Sequence, residues 1–450
     1  MTSRVFAGLL LLASLPAADP VESADRGGER VLSLADALEI ARDDSPEVVI
    51  RRAQVAVAQS RKLGSRRAFV PQVSVDAAYL RLDDGFGDSL SVEGRELSLV
   101  LSSFALTPLD GYATGVEVVQ PLVNVDAWHA RRQADAGVDA AGLSLERALR
   151  VVDVTVLTAY YALEAARQRV QATQVGLQAA QRALDRAQAG FEQELVPPVD
   201  VASARARVAL LRADVADARA AVAAAEAALR RLLGIDDGRP IRLGDAIPEP
   251  ERPPDALPSR DEVLAARRDV RALERNLAAA GFGVRRARAA YLPDLNLYAR
   301  YNRIRGDRPL EFRAEGWLLA VNLEWRLFAG FGQIAAVREA DADQRVARAR
   351  LERLRRQAWS QVQGAHARWL AAVAGWESAR EGVDAADESL ALTEARYAEG
   401  LDDMSRLLQA QAEATAARVR EIATRYRAVV AAARFRLAAD GASVAGRGGR

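Results

Sequence analysis

The sequence contains no cysteine in its 450 residues. This absence excludes disulfides, thiolate metal sites and a cysteine nucleophile, and it excludes the lipid-bearing N-terminal cysteine of a bacterial lipoprotein. Any attachment of this chain to a membrane therefore has to come from its folded structure.

Proline, aromatic residues and an excess of charge are also scarce. The chain has 16 prolines, 6% aromatic residues and a formal net charge of +1. Long stretches rich in Ala, Leu, Val, Arg and Glu run without a helix breaker, which favours long helices. Nucleic-acid binders usually show a basic excess, so we expect no nucleic acid among the partners.

Long apolar runs are missing after the N-terminus. The first residues have one basic residue, Arg4, then an apolar run from Val5 to Leu15, then Pro16-Ala17-Ala18. This order predicts a signal peptide over residues 1–18. No later segment approaches the roughly 18 apolar residues of a membrane-spanning helix. If the chain enters a bilayer, it has to do so with strands.

Catalytic and cofactor motifs are absent from the sequence. It contains no Walker A loop, dinucleotide fingerprint, nucleophile elbow or paired zinc-binding histidines. The only histidines, His129 and His366, have no cysteine or glutamate at ligand spacing, and we expect both to be solvated. The sequence therefore predicts no enzyme, no catalytic residue, no cofactor and no metal site.

What the chain does contain is an internal repeat. The segment Phe69–Val75 returns as Tyr291–Leu297, and each copy closes a helical pattern and opens an alternating one. We predict a first structural repeat over 33–233 and a second over 259–437. A connector at 234–258 carries six prolines, and an irregular tail occupies 438–450.

Each repeat contains two predicted strands, near 71–83 and 111–121 and near 293–303 and 316–327. The clearest alternation of apolar and other residues runs from Trp317 to Leu327. Strands of about ten residues can cross a bilayer when tilted, and aromatic residues near their ends suit an interfacial girdle. The polar segments Asp83–Leu109 and Arg303–Glu315 are interpreted as loops on one side of the sheet.

Helices are predicted from the 3.6-residue period, and two of them exceed 60 residues. The six helices cover Ser33–Phe69, Val125–Gly190, Val199–Leu233, Ser259–Tyr291, Gln333–Glu399 and Met404–Leu437. A helix of about 65 residues is on the order of 100 Å long. Apolar residues at three- and four-residue steps from Val201 to Leu232 predict a coiled-coil seam.

Four strands cannot close a barrel, and an open sheet edge is not tolerated in lipid. Two chains would give eight strands and a filled interior, whereas three give twelve strands and room for a passage. The expected fold class is mainly α with a small membrane β-barrel. We therefore predict a homotrimeric α/β-barrel channel with four strands per chain and long coiled-coil helices.

The ordered motifs resemble the TolC family of outer-membrane efflux proteins from Ser33 to Leu437. The marks are Leu34-Ala35-Asp36-Ala37-Leu38 with Ser45-Pro46-Glu47-Val48, Pro71, Pro293, and Tyr397-Ala398-Glu399-Gly400 followed by Leu407-Leu408-Gln409-Ala410-Gln411. The resemblance implies a twelve-stranded barrel in outer-membrane lipid and a twelve-helix periplasmic tunnel.

The resemblance also implies partners and a function. It implies that the chain docks on a periplasmic adaptor (membrane fusion protein) and an inner-membrane pump, as the passive duct of a tripartite efflux system. An alternative is the outer-membrane channel of a type I protein secretion system, and a structural coiled-coil or adaptor protein is a further rival. Nothing in the sequence identifies the exported substrate.

Two turns between long helices, Gly190–Asp200 and Gly400–Arg406, are expected to form the periplasmic mouth. The candidates for the gate and the adaptor contact are Asp200, Tyr397, Gly400, Asp402, Asp403, Arg406 and Gln409. Asp200, Asp402 and Asp403 are placed to favour the helix N-termini that follow them. Another hypothesis pairs Arg406 with one of these carboxylates across neighbouring hairpins.

This sequence departs from the family pattern at both turns, because the family has Gly at the position of Glu194 and Asp at that of Arg406. In the strands, polar residues are expected to face the lumen, since polar groups are costly in lipid. The lumen-facing candidates are Ser74, Asp76, Asn296, Arg300, Asn322, Glu324 and Arg326.

Overall fold

The computed structural model describes residues 29–81, 110–308 and 312–440. The predicted signal peptide at 1–18, the whole of the predicted loop Asp83–Leu109, and residues 441–450 of the predicted tail lie outside these ranges.

The helices in the described ranges are α1 (Leu34–Asp44), α2 (Pro46–Ser65), α3 (Val125–Glu192), α4 (Pro198–Leu233), α5 (Arg260–Ala266), α6 (Arg268–Ala289), α7 (Gly332–Ala398) and α8 (Met404–Ala439). The strands are β1 (Arg30–Leu32), β2 (Gln72–Arg81), β3 (Asp110–Val123), β4 (Ile241–Leu243), β5 (Asp294–Arg308) and β6 (Phe312–Glu324).

Two predicted helices are each broken into two. The Ser33–Phe69 prediction was wrong at Ser45, which has ψ 128° because the following Pro46 disfavours helical backbone at that position. A 3₁₀ turn at Arg66–Phe69 then replaces the last predicted α-helical turn. The Ser259–Tyr291 prediction was wrong at Arg267, where ψ is 118°.

The break at Arg267 has a tertiary cause. The Arg267 side chain is only 1% exposed. Its guanidinium donates to both carboxylate oxygens of Asp269, at 2.9 and 2.6 Å, and to Gln361 Oε1 at 3.0 Å. A buried charge is tolerated only with such partners, so these contacts hold the bend between α5 and α6.

Two helical hairpins of nearly equal dimensions dominate the chain. In the first, α3 has 68 residues and α4 has 36; in the second, α7 has 67 and α8 has 36. At 1.5 Å per residue each longer helix is roughly 100 Å long. The predicted seam of α4 is confirmed at six of its positions, which are buried: Ala204, Val208, Leu211, Val215, Ala218 and Leu229.

The four long strands form one antiparallel sheet in the order β2-β3-β5-β6. The two repeats join where β3 pairs with β5, so the sheet is continuous across them. Helices connect to one end of every strand. The loop prediction for Arg303–Glu315 was wrong over most of its length, because β5 continues to Arg308 and β6 begins at Phe312. Arg303 and Arg305 pair with Glu315 and Arg313 in the antiparallel ladder, although their polarity had suggested a loop.

The connector is not wholly irregular, since it contributes β4, which pairs in parallel with β1. Tyr160 of α3 fixes this small sheet. Its hydroxyl donates to the Leu32 carbonyl at 2.9 Å and accepts from the amides of Gly244 and Asp245 at 3.1 and 3.0 Å. Burial raises the pKa of Tyr160 to about 12.

The predicted tail begins too early, since α8 continues to Ala439. Asp440 ends the helix in the left-handed conformation, at φ 46°. Its buried carboxylate binds Arg268 at 3.0 Å, and this contact ties the end of α8 to the start of α6. None of the helices within the described residues has the length and hydrophobicity of a membrane span.

We predict that Tyr160→Phe lowers the free energy of unfolding by about 1 to 3 kcal/mol, because two amides and a carbonyl lose a buried partner. Urea denaturation followed by helical circular dichroism measures this loss. Tyr161→Phe is the matched control. Tyr161 also lies in α3 and is also buried, but its hydroxyl makes no hydrogen bond within the described part of the chain.

The pH dependence of the same contact has a defined sign. The folded pKa of Tyr160 is raised above the ordinary 10.0 to about 12. Its contribution to stability is therefore complete below pH 10 and is lost as the pH rises toward 12. Equal losses in the Phe variants of Tyr160 and Tyr161 would contradict the assignment.

Candidate functional site

The polar face of the four-stranded sheet carries the first set of candidate residues. The register aligns Ser74 with Glu117 and Arg300, and the next row on this face aligns Asp76 with Gly115 and Asn302. Successive side chains of a strand alternate between the faces, so both rows lie on one face.

Arg300 is the centre of a hydrogen-bonded cluster on this face. Its guanidinium lies 3.3 Å from Asp76 Oδ2 and 3.3 Å from Glu117 Oε2, and its Nε donates to Asn302 Oδ1 at 2.6 Å. The Tyr298 hydroxyl donates to the same Glu117 oxygen at 2.8 Å. With two carboxylates and one guanidinium, the cluster carries one net negative charge per chain.

Gly115 provides the space for this cluster. A Cβ at Gly115 would lie 2.8 Å from Asp76 Oδ1 and 2.9 Å from Asn302 Oδ1. A residue with a side chain would therefore displace both groups. The glycine in the middle of β3 allows the side chains of the neighbouring strands to meet across it.

The structure brings only some of the predicted strand residues together. Asp76 and Arg300 form an ion pair, and Asn296 lies opposite Asn322 in the register. Glu324 ends β6 and binds Arg326, which lies beyond the strand, at 2.8 Å.

The sequence analysis missed three residues of this cluster, Glu117, Tyr298 and Asn302. Glu117 lies in the strand with the weakest alternation, although its apolar neighbours Val116 and Val118 were a usable signal.

The opposite face of the sheet is apolar and open to its surroundings. Trp317 is 79% exposed and Val321 62% exposed. Other large side chains on this face are also exposed, namely Val73, Val75, Leu319 and Leu323. An exposed apolar patch of this kind marks a surface that contacts lipid or another protein.

The second set of candidates lies in the turn between α3 and α4. The N-cap of α4 is Pro197, and no side chain caps the helix. Asp200 does not cap it: the helix begins at Pro198, and Asp200 lies within its first turn, where a carboxylate favours the helix N-terminus. Glu194 has φ 58°, a left-handed conformation that favours glycine, which is the residue expected in the family.

In the turn between α7 and α8, Gly400 has φ 73° and Asp403 caps α8 by accepting from the Arg406 amide at 2.8 Å. Asp402 does not cap. Its carboxylate, 6% exposed, binds Arg396 at 2.8 Å and Arg406 at 3.1 Å. Among the described residues, the Arg406 guanidinium therefore forms its ion pair inside its own hairpin, with Asp402 and not with Asp200 or Asp403. The Arg396 guanidinium lowers the pKa of Asp402.

The ends of the two hairpins pack against each other. The shared cluster contains the buried residues Ala183, Ala187, Ala204, Met404, Leu407 and Leu408. Tyr397 packs on this cluster, and its pKa is raised by burial and then by the Asp200 carboxylate. The structure thus places Tyr397 near Asp200. Gln409 is exposed and donates to Glu413 at 3.0 Å, away from this contact.

The expectation of solvated histidines was wrong for His366. This side chain is half-buried, and its Nε2 lies 2.9 Å from the Pro254 carbonyl of the connector. His129 is also half-buried, with Nδ1 unpartnered within the described chain. Within residues 29–81, 110–308 and 312–440, no group of three or more His, Cys, Asp or Glu residues is arranged to hold a metal ion.

Comparison with known sequences gives two relatives with the same sequence identity, 26%. The pyoverdine export outer membrane protein OpmQ of Pseudomonas putida is 26% identical over 267 residues, covering 58% of this chain and 54% of its own. The alkaline protease secretion protein AprF of Pseudomonas aeruginosa is 26% identical over 243 residues, covering 51% and 49%. The chain thus spans about half the length of the curated relatives it matches.

Comparison with solved structures concerns the fold. The Campylobacter jejuni CmeC outer membrane channel superposes with a TM-score of 0.78 at 15% sequence identity, covering 91% of this chain and 86% of its own. This likeness confirms the predicted fold class. The family model described as outer membrane efflux protein matches residues 37–235 and 260–441, which is most of the sequence. The chain therefore belongs to the outer membrane efflux protein family.

Proposed function

We propose that this protein is the outer-membrane channel of a tripartite efflux system, a passive export duct in which the sheet crosses the bilayer and the helices extend into the periplasm. One observation carries the proposal. A sheet with an exposed apolar face and a polar face continues at one end into two helical hairpins of roughly 100 Å. Outer-membrane localisation accords with the family.

A homotrimer follows from the edges of the sheet. β2 and β6 are its edge strands, and in lipid their free amides and carbonyls would lack partners. Pairing β2 of one chain with β6 of the next removes every edge. Three copies give twelve strands, which leaves a lumen, whereas eight would be filled by side chains.

A water-filled lumen requires the polar face to point inward. The Asp76, Glu117 and Arg300 cluster would then repeat three times around the pore, together with the other polar positions, Ser74, Asn296, Asn322, Glu324 and Arg326. Its net negative charge would favour cations over anions at that level. The apolar face with Trp317 and Val321 would contact lipid.

The partners we propose are a periplasmic adaptor and an inner-membrane pump, since the chain has no motif for using an energy source. The ends of the helical hairpins are the part farthest from the sheet, and Arg406 and Gln409 are exposed there. OpmQ serves pyoverdine export and AprF serves alkaline protease secretion. AprF is the observation that keeps a type I secretion channel as the second candidate.

The gate we propose is at the hairpin ends, where Asp402 holds Arg396 and Arg406 inside one turn. This pairing fixes the α7–α8 turn, and the packing of Tyr397 on the shared cluster joins that turn to the first hairpin. Opening would require the turns to separate, and the two ion pairs favour the closed state because they hold the α7–α8 turn in the shape that packs on this cluster.

The function is tested by single-channel recording of the purified full-length protein in planar bilayers, alongside heat-modifiable trimer bands on gels. We expect cation-selective conductance, and Arg300→Gln should strengthen the cation preference by removing the positive charge from the ring. A protein that forms no trimer and no pore would refute the channel. A deletion strain separates the two candidate roles. Loss of drug resistance would support the efflux channel, and loss of protein secretion would support the secretion channel.

For the gate, Asp402→Asn is expected to raise the mean conductance or open probability several-fold at neutral pH, because both arginines lose their carboxylate. Asp403→Asn is the matched control: it makes the same neutral change one residue away, and asparagine is an equally good helix cap. Equal effects of the two substitutions would show that Asp402 has no special role.

The pH dependence of the gate follows from the lowered pKa of Asp402. Because the folded pKa lies below the ordinary 3.8, the ion pairs are complete above that value and are lost as the pH falls through the lower, folded pKa. We expect conductance to rise in this acidic range in the parent channel. In the Asp402→Asn channel this particular rise should be missing.

A further inference from the structure

The two helical hairpins approach each other closely where Gly176 of α3 meets Thr415 of α8. A Cβ at Gly176 would lie 2.7 Å from Thr415 Oγ1 and 3.0 Å from Thr415 Cγ2. Distances this short leave no room for a side chain at Gly176, because folded interiors are close-packed. The absence of a side chain at this position therefore sets the separation of the hairpins.

Hydrogen bonds join the two hairpins on the sheet side of this contact. They run between α3 and the part of α8 that lies beyond Thr415. The three bonds are Arg425 to Gln168 Oε1 at 2.8 Å, Tyr426 to the Thr158 carbonyl at 3.4 Å, and Arg147 to the Leu437 carbonyl at 2.7 Å. These bonds hold the sheet-side halves of the hairpins together.

On the tip side of the contact, the hairpins meet through apolar packing. Ala183 of α3 and Leu408 of α8 belong to the shared cluster at the hairpin ends. Each lies seven residues, or about 10 Å of helix, from Gly176 and Thr415 respectively. Among the described residues, no hydrogen bond or ion pair joins the hairpins on this side. The Gly176–Thr415 contact therefore lies at the boundary between a hydrogen-bonded half and an apolar half.

Polar side chains are buried at this boundary, but none of them bonds across it within the described chain. Thr173 and Thr415 donate to carbonyls of their own helices, those of Arg169 and Gln411, at 2.9 Å each. The Gln411 side chain is 7% exposed, and its Oε1 has no partner in the described chain. A buried acceptor without a partner is costly, and water would satisfy it if the helices separated. Separation here breaks neither threonine bond and hydrates one acceptor.

We propose that the Gly176–Thr415 contact is the pivot about which the tip halves of the two hairpins separate when the channel opens. The hydrogen bonds hold the sheet-side halves in place, and the apolar cluster at the tips is the surface that parts. Packed helices move as rigid elements, so a small increase in separation at the pivot becomes a larger one at the tips. The inference rests on the proposed gate at the hairpin ends.

The test is Gly176→Ala in the full-length protein, recorded in planar bilayers. The added Cβ meets the Thr415 side chain and must move α8 away, so we expect the open probability to rise several-fold. G176A/T415A should return it to the parent value. Alanine at position 415 removes Oγ1 and Cγ2 and leaves a Cβ 3.5 Å away, which is an ordinary contact.

The matched control is Gly142→Ala, which makes the same change in the same helix. A Cβ at Gly142 would meet no atom within 4 Å. Both substitutions raise the helix propensity of α3 alike, so the contact with Thr415 is what distinguishes them. G142A should therefore keep the open probability of the parent.

Spin-label distances separate a pivot from a general loosening of the helices. The chain has no cysteine, so one introduced cysteine carries a single label per chain. A398C places the label on an exposed position at the tip end of α7, and R427C on an exposed position of α8 on the sheet side of Thr415. In G176A, the distance between labels of neighbouring protomers should lengthen at position 398 and stay unchanged at position 427.

Three results would overturn the pivot: G176A behaves like G142A, T415A fails to reverse its effect, or the two label distances lengthen equally. Q411L serves if G176A does not assemble. It removes the unpaired acceptor that favours separation, so the open probability should fall below that of the parent, and an unchanged value would also overturn the pivot.

The same measurements keep this inference separate from the proposed function. A parent protein that conducts nothing would count against the channel proposal, whereas the label distances would still test the pivot. A conducting parent with no effect of G176A would remove the pivot and leave the channel proposal intact.

Discussion

Backbone hydrogen bonding is the constraint on which the rest of this structure depends. Every amide and carbonyl in a bilayer must have a partner within the protein, and the four long strands satisfy one another except along β2 and β6. The β3–β5 pairing joins the two repeats into one sheet, so two edges remain instead of four. In a bilayer, those two edges would require the closed assembly of several chains proposed above.

Polar and apolar side chains alternate along the strands, so the same sheet has one polar and one apolar face. On one face, Arg300 is held by Asp76 and Glu117 over the gap left by Gly115; on the other, Trp317 and Val321 stand exposed. The long hairpins then extend this arrangement away from the sheet. The first hairpin is held by buried apolar residues of α3 and α4, the second by larger ones such as Trp369 and Phe435, and their ends meet around Met404 and Leu407.

Much of this organisation could be predicted from the sequence because it depends on local periodicity. The long helices α3 and α7 follow from the 3.6-residue period and the scarcity of helix breakers, and the four strands follow from alternation beside Pro71 and Pro293. The break at Ser45 is a local effect of Pro46 that the helix prediction overlooked. Other errors came from elements whose state depends on distant contacts. Arg267 ends α5 because its guanidinium donates to the buried carbonyls of Ala358 and Ala438, and β4 exists because β1 and Tyr160 bind the connector.

The candidate site, too, was predictable only where it depends on local sequence patterns. Periodicity by itself determined that Asp76 and Arg300 belong to a polar face, and turn composition determined where the hairpins end. Only the tertiary structure decided that Glu117 completes the Arg300 cluster, that Asp402 binds two arginines, and that Arg305 faces Arg313. The reason is physical: the side-chain period is a property of one strand or helix, whereas register and turn geometry set which charges meet between them.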